Sequence, residues 1–216
     1  MTKLLADSAG THAERAYKVL LNRILFLDLA PGELINEHKL CKELSFGRTP
    51  IREALKRLEG EDLVAFYPRR GTFVTHVDIT ELSSLYEYRA ELEPIAVKLA
   101  AKNLDEETEE SFRYLLGELA KVEGRTEREL LELDTLVHAA IFRASGNRYI
   151  EHDLIRIDNL ATRIWCVVLG KIPNIQDHVT EHVEIIETLL SRDGDHAASL
   201  VRDHVHEFEA IVRKFL

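Results

Sequence analysis

Three histidines and one aspartate carry the first chemical signal. Asp134 and His138 stand four residues apart in a stretch with helical periodicity, so their side chains leave the same face. His182 falls in the fifth helical stretch of the C-terminal half. His204 falls in the sixth, 22 residues later, and antiparallel helices joined by a short turn can bring two such positions level. Three imidazoles and a carboxylate suit a divalent transition metal. With no thiolate in the set, zinc, nickel, manganese and iron all remain open. On a five- or six-coordinate ion, one or two positions stay free for water or a carboxylate ligand. Spacing alone does not select these four residues. His178 lies one turn before His182, and His152, His196 and His206 are further alternatives.

A second concentration of chemistry lies in the segment LSFGRTPIREALKRLEGEDLVAFYPRRGTFVTHV, residues 44–77. Ile51, Ala54, Leu55 and Leu58 recur at i, i+3, i+4 and i+7, one apolar face of a helix. Its other face carries Arg52, Lys56 and Arg57, with Arg48 and Thr49 at the start. Gly47 or Thr49 can cap this helix, Pro50 suits its first turn, and Gly60 marks its end. Residues 63–67 and 72–75 read as two short strands with Pro68-Arg69-Arg70-Gly71 turning between them. A cationic helix start beside a cationic hairpin tip fits a helix in the major groove of double-stranded DNA with a wing beside it. Arg48, Arg52 and Arg70 are the leading contacts; Thr49, His38, Arg69, Gly71 and Thr72 come next.

These groups need elements to hold them. Residues 11–29 read as a helix stopped by Pro31-Gly32, residues 37–44 as a short second helix, and Ser45-Phe46-Gly47 as the turn into the third, a helix-turn-helix arrangement. Residues 1–10 read as a mobile lead-in. Asp78 or Thr80 can cap the helix that begins after residue 77. Six helical stretches are expected in this half, at about 80–103, 105–123, 126–145, 148–170, 175–192 and 194–215. Asn103, Gly124, Ser145-Gly146-Asn147, residues 171–174 and Asp193-Gly194-Asp195 form the breaks. The expected fold is mainly α: a winged helix-turn-helix domain over 1–77 and an all-α six-helix bundle over 78–216.

Composition agrees. The 216 residues are 45% hydrophobic and 31% charged, an ordinary globular balance. Cys41 and Cys166 make neither a disulfide framework nor a thiolate metal motif. Neither a signal-peptide core nor an apolar run of bilayer length is read, so a cytoplasmic protein without a membrane partner is expected. The net charge of −10 is unevenly placed. Residues 1–77 hold 12 Lys and Arg against 10 Asp and Glu, whereas the remainder holds 16 against 28. DNA must therefore be gripped by a local patch, and a homodimer would double its few phosphate contacts.

The run GRTPIREALKRLEGEDLV and, after it, RRGTFV resemble the winged helix-turn-helix of GntR-type bacterial transcription regulators, with Gly47 where that family usually has Ser. The runs DTLVHAAIFRASGN and EHVEIIETLLSRDGDHAASLVRDH are similar to the metal-binding FCD domain of the FadR branch. The resemblance implies Asp134, His138, His182 and His204 as the metal ligands. In YEYRAELEPIAVKLAA it implies that Arg89 points into an effector pocket, where a guanidinium could clamp a carboxylate that also meets the metal. The alternative for Arg89 is an ion pair with Glu93 or Glu91. Asn159, Arg163 and Trp165 are further pocket candidates. Six helices rather than seven suggest the shorter, VanR-like arrangement. The implied function is a repressor, acting as a homodimer on a short palindromic operator and answering to a small carboxylate effector. The alternatives are a sensor of the metal itself and a metal-dependent enzyme acting on small organic acids.

Overall fold

The computed structural model describes residues 10–172 and 174–215. Most of the expected lead-in, residues 1–9, and Pro173 of the 171–174 break lie outside the described residues. The chain divides into two compact units, Met1–Val77 and Asp78–Leu216.

The first unit runs α1 (His12–Leu25), α2 (Glu37–Leu44), α3 (Arg48–Gly60), β1 (Val64–Tyr67) and β2 (Gly71–Val74). Thr11 opens α1 with a capping box: its hydroxyl accepts the Glu14 N–H, and the Glu14 carboxylate accepts the Thr11 N–H. The helix ends four residues before the expected Leu29. Leu27 takes a left-handed φ of 59°, and the Leu29 N–H donates back to the Arg23 carbonyl. The early reversal lets residues 32–35 run beside β2, where Gly32 and Ile35 donate to the carbonyls of Val74 and Thr72, and Val74 donates to Glu33. That third partner for the hairpin carries no turn or alternation signal strong enough to be read from sequence.

Ser45, left-handed at φ 56°, makes the turn from α2. Gly47 then caps α3 with no side-chain hydrogen bond. Pro50 lies in the first turn of α3, where the missing N–H costs nothing. Ile51, Ala54, Leu55 and Leu58 are buried on α3, which packs on α1 with its buried Ala16, Leu20 and Ile24. One polar contact ties the ends of this pair. The Tyr17 hydroxyl donates to Glu61 at 2.7 Å, and the Arg57 guanidinium lies 3.6 Å over the Tyr17 ring. The strands pair antiparallel from Val64 opposite Val74 to Tyr67 opposite Gly71, each shifted or shortened by one residue from expectation. Pro68 leads their turn, Arg69 has φ 64°, and the Arg70 N–H meets the Tyr67 carbonyl at 3.0 Å, the pattern of a type II turn.

The second unit begins with a 3-10 turn over Ile79–Glu81, capped by Asp78 accepting the Thr80 N–H. It continues as α4 (Leu82–Asn103), α5 (Glu106–Leu119), α6 (Glu127–Ala144), α7 (Arg148–Val168), α8 (Ile175–Thr180), α9 (His182–Leu190) and α10 (Gly194–Arg213). Asp105, Thr126, Asn147 and Asp193 cap α5, α6, α7 and α10. The expected fifth stretch is two helices, so the six expected become seven α-helices among the described residues, and the count behind the VanR-like expectation changes. The break falls at Glu181. There the Thr180 hydroxyl donates to the Asp177 carbonyl and the His182 Nδ1 lies 3.2 Å from the Val179 carbonyl, side chains competing with the backbone ladder. α4 is the central helix, packed against α10, α6, α7 and α9. Its crossing with α10 is close at Gly194, where an added Cβ would stand 3.2 Å from the Ala101 Cβ and 3.3 Å from the Lys98 Cα. No helix among the described residues is long and apolar enough to cross a membrane.

Tyr17→Phe leaves the buried Glu61 carboxylate one hydrogen bond short. It is expected to lower the stability of the first unit by about 1–2 kcal/mol, read as an earlier urea transition of the full chain.

Candidate functional site

In the first unit, Arg48 and Thr49 are exposed on the opening turn of α3, Arg52 one turn on, and His38 on α2. Arg69 and Arg70 are exposed at the hairpin tip. Gly71 comes next, half-buried at φ 107°, a backbone conformation other residues rarely adopt. Thr72 departs from the expected set. Its side chain is buried on the inward side of β2 and its carbonyl accepts the Ile35 N–H, so it supports the wing rather than facing outward. Arg52 is not a bare surface charge: its Nε donates to the Glu37 carboxylate at 2.8 Å.

In the second unit, α6, α9 and α10 bring Asp134, His138, His182 and His204 together. One ligand atom from each lies within 4.8 Å of the others, and all four side chains are buried. The Nε2 atoms of His138 and His182 are 3.2 Å apart, and His138 Nε2 lies 3.9 Å from Asp134 Oδ2. Burial separates the sequence alternatives: His152, His196 and His206 are exposed, while His178 on α8 is buried beside the cluster.

Each of the three converging rings has an acceptor behind Nδ1. Glu93 Oε2 lies 3.5 Å from His138 Nδ1, the Val179 carbonyl 3.2 Å from His182 Nδ1, and Glu181 Oε2 2.7 Å from His204 Nδ1. An acceptor there favours the Nδ1–H tautomer and turns the Nε2 lone pair inward. Burial, reinforced by neighbouring imidazoles, holds His138 and His182 well below the ordinary histidine range. It takes His204 down to about 3. The rings are thus neutral, the form that binds metal. Burial, with the nearby Asp158 charge, pushes the Asp134 carboxyl well above the usual carboxylate range. Both Asp134 oxygens and His204 Nε2 are buried without a hydrogen-bond partner in the protein. Neutral inward nitrogens facing a carboxylate whose charge needs a cation form a donor set that fits a divalent transition ion.

Arg89 of α4 joins this cluster. It is 1% exposed, ion-paired through Nε with Glu93 and through Nη2 with Asp158 at 3.2 Å, and Nη2 lies 3.4 Å from His138 Nε2. The two sequence readings of Arg89 therefore coexist. It pairs with Glu93, not the exposed Glu91, and it still points at the histidines. Burial works against its charge, but Glu93 and Asp158 outweigh that and keep it a guanidinium. Burial raises Glu93 to about 7 against the pull of Arg89. Trp165 stands 5.4 Å beneath Arg89 and donates its Nε1–H to the Tyr86 hydroxyl at 2.6 Å. Asn159 and Arg163 are buried on the same helix, α7, with Asn159 Nδ2 lacking a hydrogen-bond partner in the protein. Sequence reasoning passed over Asp158 and Glu181, two acidic residues among 38 with no spacing to distinguish them.

A winged helix-turn-helix and a helical unit with a buried His/Asp cluster define the class of DNA-binding transcription regulators with an appended sensing domain. The sequence comparisons place it more closely. Residues 84–207 match the FCD domain, and residues 12–74 match the bacterial regulatory proteins of the gntR family. The chain belongs to the GntR family of bacterial regulators, in the group whose C-terminal unit is an FCD domain. It is 31% identical to the Nta operon transcriptional regulator of Aminobacter aminovorans, over 82% of this chain and 83% of that one. It is 29% identical to the HTH-type transcriptional repressor GlaR of Escherichia coli K12, over 88% and 90%. Among solved structures, E. coli McbR/YncC shares the fold with a TM-score of 0.82 at 20% identity, over 95% of this chain and 99% of that one. The metalloenzyme alternative falls with this result, because both domains are those of transcription regulators.

Glu93→Ala leaves Arg89 short of a partner in a dry interior and is expected to cost about 3–5 kcal/mol. Glu91→Ala on the exposed face should stay within about 0.5 kcal/mol. Urea unfolding of both variants compares them directly.

Proposed function

We propose that this regulator is a homodimeric repressor whose helical unit holds a divalent transition ion and takes a small carboxylate effector against it. The observation that carries the reading is the convergence of three buried, inward-turned imidazoles and Asp134 beside the Arg89 guanidinium. Asp134, His138, His182 and His204 would hold the ion, and Glu93, the Val179 carbonyl and Glu181 fix the ring orientations. When bound, the ion supplies an electropositive point to which a carboxylate oxygen attaches.

Arg89 supplies the second, directional half of carboxylate recognition. Its Nη1 is buried with no partner in the protein, a donor available to an incoming oxygen. Asp158 Oδ1, Asn159 Nδ2 and Thr162 Oγ1 on α7 are likewise buried without hydrogen-bond partners, which suits hydroxyl or amide groups on the effector. Asn159 and Arg163 line the same helix as secondary effector contacts. Effector binding would act by shifting the population between two arrangements of a dimer.

On the operator, Arg48, Arg52, Arg69 and Arg70, with Thr49, His38 and Gly71, present the exposed donors. Arg52 exchanges its bond to Glu37 for a base edge or phosphate. Two copies match a palindrome and act where the chromosome is, in the cytoplasm.

The double variant His138→Ala/His204→Ala is expected to lose metal in elemental analysis. It should also lose the quenching of Trp165, the only tryptophan of the chain, when nickel is added. Full metal retention would overturn the ligand assignment. Arg52→Ala should weaken operator binding by about tenfold or more while circular dichroism of the helices is unchanged, consistent with loss of one base contact of about 1–3 kcal/mol. Operator affinity that tracks metal alone, without any carboxylate, would make the protein a metal sensor instead.

A further inference from the structure

His178 is the buried histidine that the four-ligand set leaves unused. It sits on α8, one turn before His182, with 4% of its surface exposed. Its ring is held between two parallel neighbours. His204 lies at 4.1 Å with planes 10° apart, and Phe208 lies at 3.7 Å with planes 13° apart. Its Nδ1 stands 3.4 Å from Glu181 Oε2, the oxygen that backs His204 at 2.7 Å. His178 thus repeats the arrangement of the other rings, with an acceptor behind Nδ1 and Nε2 left over. That Nε2 is buried, has no hydrogen-bond partner in the protein, and lies 3.8 Å from Asp134 Oδ1.

Spacing decides what such a nitrogen can do. Two donors on one ion, each bonded at about 2.0–2.2 Å, stand roughly 3–4 Å apart. The His138–His182 pair at 3.2 Å and the His138–Asp134 pair at 3.9 Å fall in that range, and so does His178–Asp134 at 3.8 Å. His178, Glu181 and His204 also group within 4.8 Å on their own, joined to the four-ligand set through His204.

We infer that His178 is a fifth protein donor to the ion and that an effector carboxylate displaces it. The inference rests on the ion and effector proposed above. Four ligands leave one or two positions on a five- or six-coordinate ion, and α8 is the element placed to reach one. It has six residues and is separated from α9 by the break at Glu181, so its ring can leave without moving His182. Arg89, 3.4 Å from His138, draws an anion to the same centre, where a neutral imidazole competes poorly with a carboxylate held at both ends.

The test uses cobalt(II)-loaded full-length protein, with acetate as the probe, in wild type, His178→Ala and the size-preserving His178→Gln. Without acetate, both variants should show visible cobalt bands displaced from wild type. At saturating acetate the three spectra should coincide. If the ring holds its position about four-fifths of the time, its removal should tighten acetate binding about fivefold. Identical spectra without acetate, or weaker acetate binding in both variants, would overturn the inference while leaving the metal centre intact. No cobalt uptake by wild type would sink the metal reading and this inference together.

Discussion

A guanidinium buried against two carboxylates at the middle of a helical unit constrains what can pack around it. Arg89 cannot leave Glu93 and Asp158 without stranding charge in a dry interior, a loss of several kcal/mol. Glu93 lies on α4 and Asp158 on α7, so the pair locks two helices in register. Glu93 also reaches His138, which brings in α6. The network therefore sets the relative placement of three helices around one point. The weak amphipathicity of α4 has the same origin: its buried positions run around the helix, since neighbours cover it on several sides.

The histidines extend this logic outward. Each ring is held by an acceptor on a different support: a side chain of α4, a backbone carbonyl of α8, and the carboxylate at the α8–α9 break. Burial keeps the rings neutral, and the same burial opposes the charge of Asp134. Groups arranged this way gain most from a cation among them and from an anion beside Arg89. Stability and sensing would then draw on the same interactions, so a ligand that alters one bond there reaches every helix the network touches.

The DNA-binding unit is built on a different plan. Its core is small and apolar, with Tyr17, Glu61 and Arg57 as its polar clasp, and its chemistry stays on the surface. Arg69 holds a left-handed φ at the hairpin tip, a conformation usually left to Gly or Asn. Strain at an exposed arginine is consistent with a side chain kept for what it touches outside the protein. The Arg52–Glu37 pair points the same way, because an exposed ion pair contributes little to stability but does orient a guanidinium.

Local chemistry was legible in the chain itself. The apolar face of α3, the Thr126 and Asp105 caps, the Pro68–Gly71 turn and the glycine and asparagine breaks all depend on neighbours a few residues apart, and they appear close to where periodicity puts them. The pairing of residues 32–35 with β2, the inward turn of Thr72 and the break at Glu181 were not legible, because each is decided by a partner distant in sequence or by a side chain competing with the backbone. The histidines show the boundary most clearly. Ten are scattered along the chain, and spacing treats His178, His196 and His204 alike. Only packing distinguishes them, by drying some rings, leaving others in water, and setting a carboxylate from another helix behind a chosen nitrogen.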